Sequence, residues 1–151
     1  MNDSPISVAV VGAGSMAREH IRAFQSLPGV TIAGLHSRTR AKAEALAAEF
    51  RIAKVCDSTE SLYAATEADL VVNTVFETSM KSVALECCRL PWTLLLEKPP
   101  GMHLAEARQI QAAAEKAGRT VLVGLNRRFL NSSLAAFDDL ADRPGPRFIH
   151  V

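Results

Sequence analysis

Through the first 125 residues, short apolar runs alternate with amphipathic stretches, and the two periods predict strands and helices in turn. Six mostly apolar, β-branched residues, 6–11, form the first strand, and a helix follows over 15–27 with Met16, Ile21, Phe24 and Leu27 as its apolar face. Pro28 and Gly29 stop that helix. A second strand is expected over 30–35, then an Ala-rich helix over 39–50 with Ser37 and Thr39 as candidate caps. A short strand falls near 53–56, and Ser58 or Thr59 caps a short helix to residue 65, with Glu60 and Glu67 near its ends. Residues 69–75 are almost uninterruptedly apolar, the pattern of a strand covered on both faces. A helix over 78–90 ends at Pro91; a buried strand over 93–96 closes on Glu97-Lys98-Pro99. A helix over 104–117 ends at Gly118, and a last strand is expected over 120–125.

Strand-to-strand crossovers of roughly 10–20 residues suit parallel pairing with right-handed connections. The expected fold is therefore α/β, a doubly wound parallel sheet of strand order 3-2-1-4-5-6. After residue 125 the rhythm changes. Residues 127–140 look helical, 142–146 break the helix with two prolines, and 147–151 resemble the start of another strand. Such a strand beside a finished sheet would be an unpaired edge, so it pairs with another copy of the chain or opens a second domain. The second is favoured, dividing the chain into a cofactor domain over 1–125 and a connecting helix and first strand over 126–151.

Composition narrows the class without naming it. A chain of 151 residues suits one domain that buries about two-thirds of its unfolded surface. Apolar content of 48%, charged content of 22% and net charge +1 are those of a globular protein, with no basic block calling for nucleic acid or an anionic membrane. No apolar run approaches the ~20 residues of a membrane span, and the first residues lack a signal-peptide pattern. Cys56, Cys87 and Cys88 are odd in number and without Cys-x-x-Cys spacing, so reduced thiols in a cytoplasmic setting are expected, with neither a disulfide framework nor a zinc site.

The first turn carries the chemistry. A strand running into Gly12-Ala13-Gly14, with a helix opening directly behind, is how such a sheet meets a dinucleotide pyrophosphate. Gly12 permits the tight turn, Gly14 lets the backbone approach phosphate, and Ala17 lets helix and strand pack closely. With Ser15 and Met16 at the helix N-terminus, these are the first expected cofactor contacts. At the end of the second strand an NAD-preferring site places Asp or Glu; this chain has Leu35-His36-Ser37-Arg38-Thr39, then Arg40 and Lys42. Ser37 and Thr39 can hydrogen-bond a 2′-phosphate and Arg38 can clamp it, so NADP is expected over NAD. The alternative is that Arg38, Arg40 and Lys42 are simply solvated residues of a helix start. Lys98 stands at the ligand edge of the sheet, held by Pro99, where a lysine can exchange a proton with a hydroxyl while hydride moves. A surface lysine in a turn is the competing reading.

Gly12–Ala17, Ser37-Arg38, Glu97-Lys98-Pro99 and Val123-Gly-Leu-Asn-Arg-Arg-Phe129 occur in the order and spacing of the glucose–fructose oxidoreductase/inositol dehydrogenase family, usually called Gfo/Idh/MocA, which the whole chain resembles. The resemblance implies a two-domain NAD(P)-dependent oxidoreductase of sugars, cyclitols or related small molecules, assembled as a homo-oligomer through the second domain. It implies Lys98 as catalytic residue beside nicotinamide and substrate hydroxyl, Glu97 shaping the cofactor site, Asn126 as a cofactor contact and Arg127 near the nicotinamide end. Members commonly carry Thr-Pro-x-x-x-His after the fourth strand; here Thr74 matches, but Val75 and Ser79 replace the proline and histidine. That departure bears on the nicotinamide pocket.

The remaining candidates read as structure. Cys87 and Cys88 are expected to pack, Trp92 to pack or to sit at an interface, Glu106 and Arg108 to lie on a solvated helix face, and His103 to start a helix. His20, His36, His103 and His150 have no metal-ligand spacing. Two rival functions remain: a non-catalytic nucleotide-sensing module assembling through the strand at Phe148, and an S-adenosylmethionine methyltransferase. The missing acid after strand two and the Glu-Lys-Pro turn weigh against the second rival.

Overall fold

A computed structural model describes residues 5–141 and 145. Six parallel strands form one sheet in the order β3-β2-β1-β4-β5-β6, as expected. They are β1 (Ile6–Val11), β2 (Val30–His36), β3 (Val55–Cys56), β4 (Leu70–Asn73), β5 (Thr93–Leu96) and β6 (Val121–Val123). The helices between them are α1 (Ser15–Gln25), α2 (Arg40–Phe50), α3 (Thr59–Thr66), α4 (Glu77–Cys87) and α5 (Leu104–Ala117).

Sheet alternation divides the core. On β1, Val10 joins Ala17, Ile21, Leu35, Ala43 and Leu46 under α1 and α2. Ala9 and Val11 point the other way, into a larger core with Leu62, Met80, Ala84, Trp92, Leu94 and Ile110 under α3, α4 and α5. The helices thus change face between β1 and β4, and a doubly wound sheet binds ligands at the C-terminal ends of its strands beside that reversal.

Several boundaries differ from expectation, each for a local reason. α1 ends at Gln25 because the Ser26 hydroxyl donates to the Ala23 carbonyl at 2.6 Å, so Leu27 falls outside it and is 50% exposed. Met16 is 41% exposed because the first turn of α1 stands over the open sheet edge, not over its face. Only Ala17 and Ile21 of α1 are buried. β4 stops at Asn73, and Asp69, assigned to the strand, caps its start: its carboxylate accepts from the Ser7 N–H at 2.8 Å and hydroxyl at 2.7 Å. α4 stops at Cys87, with Arg89 and Leu90 in tightened turns behind it. The single helix expected over 127–140 is two pieces, a 3-10 turn at Asn126–Phe129 and α6 at Asn131–Ala141, divided by extended backbone at Leu130. α6 buries none of its residues. The expected break over 142–146 lies outside the described residues except for Gly145, and the strand over 147–151 lies wholly outside them. Among the described residues, no helix is long and apolar enough to cross a membrane.

Candidate functional site

The turn after β1 is built against β4. Gly12 has φ +110, and its N–H donates to the His36 carbonyl at 2.8 Å. A Cβ there would meet Thr74 Oγ1 at 2.5 Å and the Thr74 backbone at 3.0 Å, so only glycine fits both the conformation and the space. Thr74 closes this wall by donating from its N–H and hydroxyl to the Val11 carbonyl, at 2.8 and 3.0 Å. Gly14 differs. It caps α1 in extended conformation, and a Cβ there would meet nothing within 4 Å. Open space therefore lies in front of the N–H groups of Ser15 and Met16, while Ala17 is buried behind them. No acidic residue stands in this first turn to oppose an anion.

Asn73 was not among the expected site residues. It is fully buried at the end of β4; its Oδ1 accepts from the Val75 N–H at 3.3 Å, and its Nδ2 has no partner. A buried amide with a spare donor at the ligand edge calls for a partner. The signal was visible as one polar residue closing the run Leu-Val-Val.

At the end of β2, His36 Nδ1 meets the Cys56 carbonyl at 2.9 Å, and the Ser37 hydroxyl accepts from the Thr39 N–H at 3.4 Å. Thr39 occupies the N-cap position of α2 without a side-chain cap bond, and Arg38 and Thr39 are exposed. Arg40 departs from the expected cation cluster: Glu44, at 2.8 Å, and Asp57 already engage it, and these hydrogen bonds raise its pKa. Its charge is neutralised locally, leaving Arg38 and Lys42 to face solvent.

The Glu-Lys-Pro turn is anchored from two sides. The Glu97 N–H donates to the Asn73 carbonyl at 3.0 Å, and its buried side chain meets His20 Nε2 at 2.8 Å through Oε1. Glu97 Oε2 accepts from the Lys98 N–H at 3.1 Å. His20 was considered only as a metal ligand, yet Ala17, His20, Ile21 and Phe24 share the inward face of α1, a spacing legible in the chain. Lys98, followed by a cis bond to Pro99, is exposed and lines a cleft of about 570 Å³ with Leu125, Asn126, Arg127, Arg128 and Phe137. The structure thus gathers Lys98, Asn126 and Arg127 at one place. Gly12 to Ala17 and Thr74 meet at the sheet reversal, and Ser37 to Thr39 follow β2. In the loop that departs from the family pattern, Phe76 is 74% exposed and precedes α4.

The remaining side chains mostly take structural roles. Burial raises the Cys87 and Cys88 thiols, the opposite of what a nucleophile needs. Trp92 is buried, donating from Nε1 to the Cys87 carbonyl at 2.8 Å. Glu106 is not a solvated residue: it accepts from the Met102 N–H at 2.9 Å, which lowers its pKa, and pairs with Lys81 at 3.2 Å.

Residues 6–125 match the model of an oxidoreductase family, Gfo/Idh/MocA, described as an NAD-binding Rossmann fold. A D-glucoside 3-dehydrogenase of Escherichia coli is 28% identical over 134 residues, 85% of this chain and 37% of that protein. A glucose-6-phosphate 3-dehydrogenase of Bacillus subtilis is 27% identical over 124 residues, 82% of this chain and 35% of that protein. The solved structure of GenD2 from gentamicin A biosynthesis, in complex with NAD, superposes with a TM-score of 0.85 at 26% identity, covering 93% of this chain and 40% of that one. The chain spans little more than a third of the length of these curated relatives.

Proposed function

The chain belongs to this oxidoreductase family with an NAD-binding Rossmann fold, and from that premise we propose that it is the cofactor-binding part of an NAD(P)-dependent dehydrogenase or reductase of a sugar, cyclitol or related small molecule. The observation that carries this reading is one sheet edge holding both an open phosphate turn and a lysine-lined cleft. The residues fit a dinucleotide. Gly14 leaves room for a pyrophosphate, the first N–H groups of α1 face that room, and the buried Asn73 Nδ2 lacks a partner.

A bound nicotinamide would supply hydride transfer. Lys98 would exchange the proton of the reacting hydroxyl, Glu97 and His20 hold the turn that carries it, and Asn126 and Arg127 line the same cleft. Ser37, Arg38 and Thr39 favour NADP, since no carboxylate lies between His36 and Thr39 to repel a 2′-phosphate. Residues 1–125 would form this cofactor domain and 126–151 lead into the part that selects substrate, through which the protein would form a homo-oligomer. The thiols of Cys56, Cys87 and Cys88 suit a reducing, cytoplasmic setting.

The exposed Phe76, in place of the family's usual loop, favours one rival: a nucleotide sensor without turnover. Titration with NADP and NAD by calorimetry, paired with Lys98→Ala in the full protein, separates the two. An enzyme loses turnover in the variant while keeping cofactor affinity; a sensor shows no turnover to lose. Absence of binding to either dinucleotide at millimolar concentration would refute both.

A further inference from the structure

We propose that the substrate of this site carries an anionic group, a phosphate or a carboxylate, bound by Arg127 and Arg128 beside Lys98; this rests on the dinucleotide reading above. Among the described residues, the cleft is lined by three cations, one amide and two apolar side chains, and by no carboxylate. Elsewhere four cations are neutralised by carboxylates: Arg18 by Glu49, Arg22 by Glu19, Arg40 by Glu44 and Asp57, and Lys81 by Glu106. Among the described residues, no ion pair involves Lys98, Arg127 or Arg128. The adjacent carboxylate, Glu97, turns inward to His20 and the Lys98 N–H.

The guanidinium of Arg128 and the backbone that carries Arg127 are both held in place. The guanidinium of Arg128 lies over the Phe129 ring, 5.5 Å from its centroid, which leaves its in-plane N–H groups open to a ligand. The Arg127 carbonyl accepts from the Ser133 hydroxyl at 2.9 Å, fastening the 3-10 turn to α6. An oxidised nicotinamide bound at this sheet edge would add one more positive charge. A neutral sugar would leave like charges facing one another across the cleft, whereas a phosphate or carboxylate would offset them and accept bidentate hydrogen bonds from arginine. Leu125 and Phe137 supply apolar surface for the uncharged ring.

The test is calorimetric titration of the full protein with glucose, glucose 6-phosphate and glucuronate, with and without saturating NADP. The anionic sugars should bind at least about tenfold more tightly than glucose. Because both arginines are exposed, Arg127→Gln and Arg128→Gln should fold normally and each cut that advantage by roughly three- to tenfold. Arg108→Gln, on α5 and outside the cleft, should leave it intact. A stronger advantage for glucose 6-phosphate assigns the group as phosphate, and one for glucuronate as carboxylate. Anions that bind no more tightly than glucose, or an advantage untouched by either arginine variant, overturn the proposal. Failure to bind NADP or NAD refutes the dinucleotide reading instead, and the sugar comparison without cofactor remains readable.

Discussion

The two glycines of the first turn make opposite demands, and substituting each with alanine separates folding from binding. At Gly12 the backbone sits at φ +110, a conformation that costs an ordinary residue about 1–3 kcal/mol. The new Cβ would also stand 2.5 Å from Thr74 Oγ1 and 3.0 Å from the Thr74 carbonyl, overpacking worth about another 1–3 kcal/mol. Gly12→Ala should therefore lose roughly 2–6 kcal/mol of the 5–15 typical of a domain, lowering Tm by about 5–20 °C. Thr74→Ala added to it should return only part, because the backbone contacts at 3.0 Å remain. At Gly14 the backbone has φ −94 and a Cβ meets nothing. The entropy gained from a stiffer unfolded chain, about 0.4–1 kcal/mol, roughly offsets a poorer N-cap, so Gly14→Ala should hold its stability to within about 1 kcal/mol. Its methyl group nonetheless fills the approach to the α1 N-terminus, and dinucleotide affinity should fall by about tenfold or more. Urea unfolding followed by circular dichroism reads the first quantity and calorimetric titration the second. Equal destabilisation by the two substitutions, or unchanged affinity in Gly14→Ala, would refute the assignment of the turn.

Arg38→Ala should weaken NADP by roughly tenfold and NAD by much less; equal losses would show that Arg38 does not read the 2′-phosphate. His20→Ala leaves the buried Glu97 carboxylate without its 2.8 Å partner and should cost about 1–3 kcal/mol, with His20→Gln restoring part by supplying a donor, as read from urea midpoints. Asp69 has its pKa lowered, first by the Ser7 N–H and then by the Ser7 hydroxyl. Its contribution is therefore full above the ordinary carboxylate pKa of about 3.9 and disappears as pH falls through the lower folded value. Asp69→Asn should flatten the loss of stability on acidification below about pH 4, measured as urea midpoints against pH; an unchanged slope would remove Asp69 from the account.

The sheet was legible because hydrophobic periodicity and turn residues agree along its length. The almost uninterrupted apolar run around β4 marked a strand covered on both faces, and Gly118, at φ +63, ended α5 where expected. What periodicity could not show is which polar groups meet across the fold. His20 and Glu97 are far apart in sequence, and only the folded chain brings the α1 side chain and the residue after β5 to 2.8 Å. Arg40 likewise looked available to a phosphate until β3 brought Asp57 to it. The tail was read as one helix because its composition is helical throughout; the extended backbone at Leu130 has no glycine or proline to announce it.

The division of the core has an optical consequence. The one tryptophan and one tyrosine of the chain, Trp92 and Tyr63, pack edge to face with centroids 5.3 Å apart, both on the α3–α4–α5 side of the sheet. The α1–α2 side contains neither and contributes nothing to tryptophan or tyrosine fluorescence. Events there reach the tryptophan only through strands that serve both cores, such as β1 with Val10 on one side and Val11 on the other. Comparing tryptophan emission with the helical circular dichroism signal through one denaturation therefore measures how cooperatively the two halves of the domain melt. Coincident curves mark a sheet that locks its faces together, and a tryptophan transition displaced from the dichroism marks faces that unfold in turn.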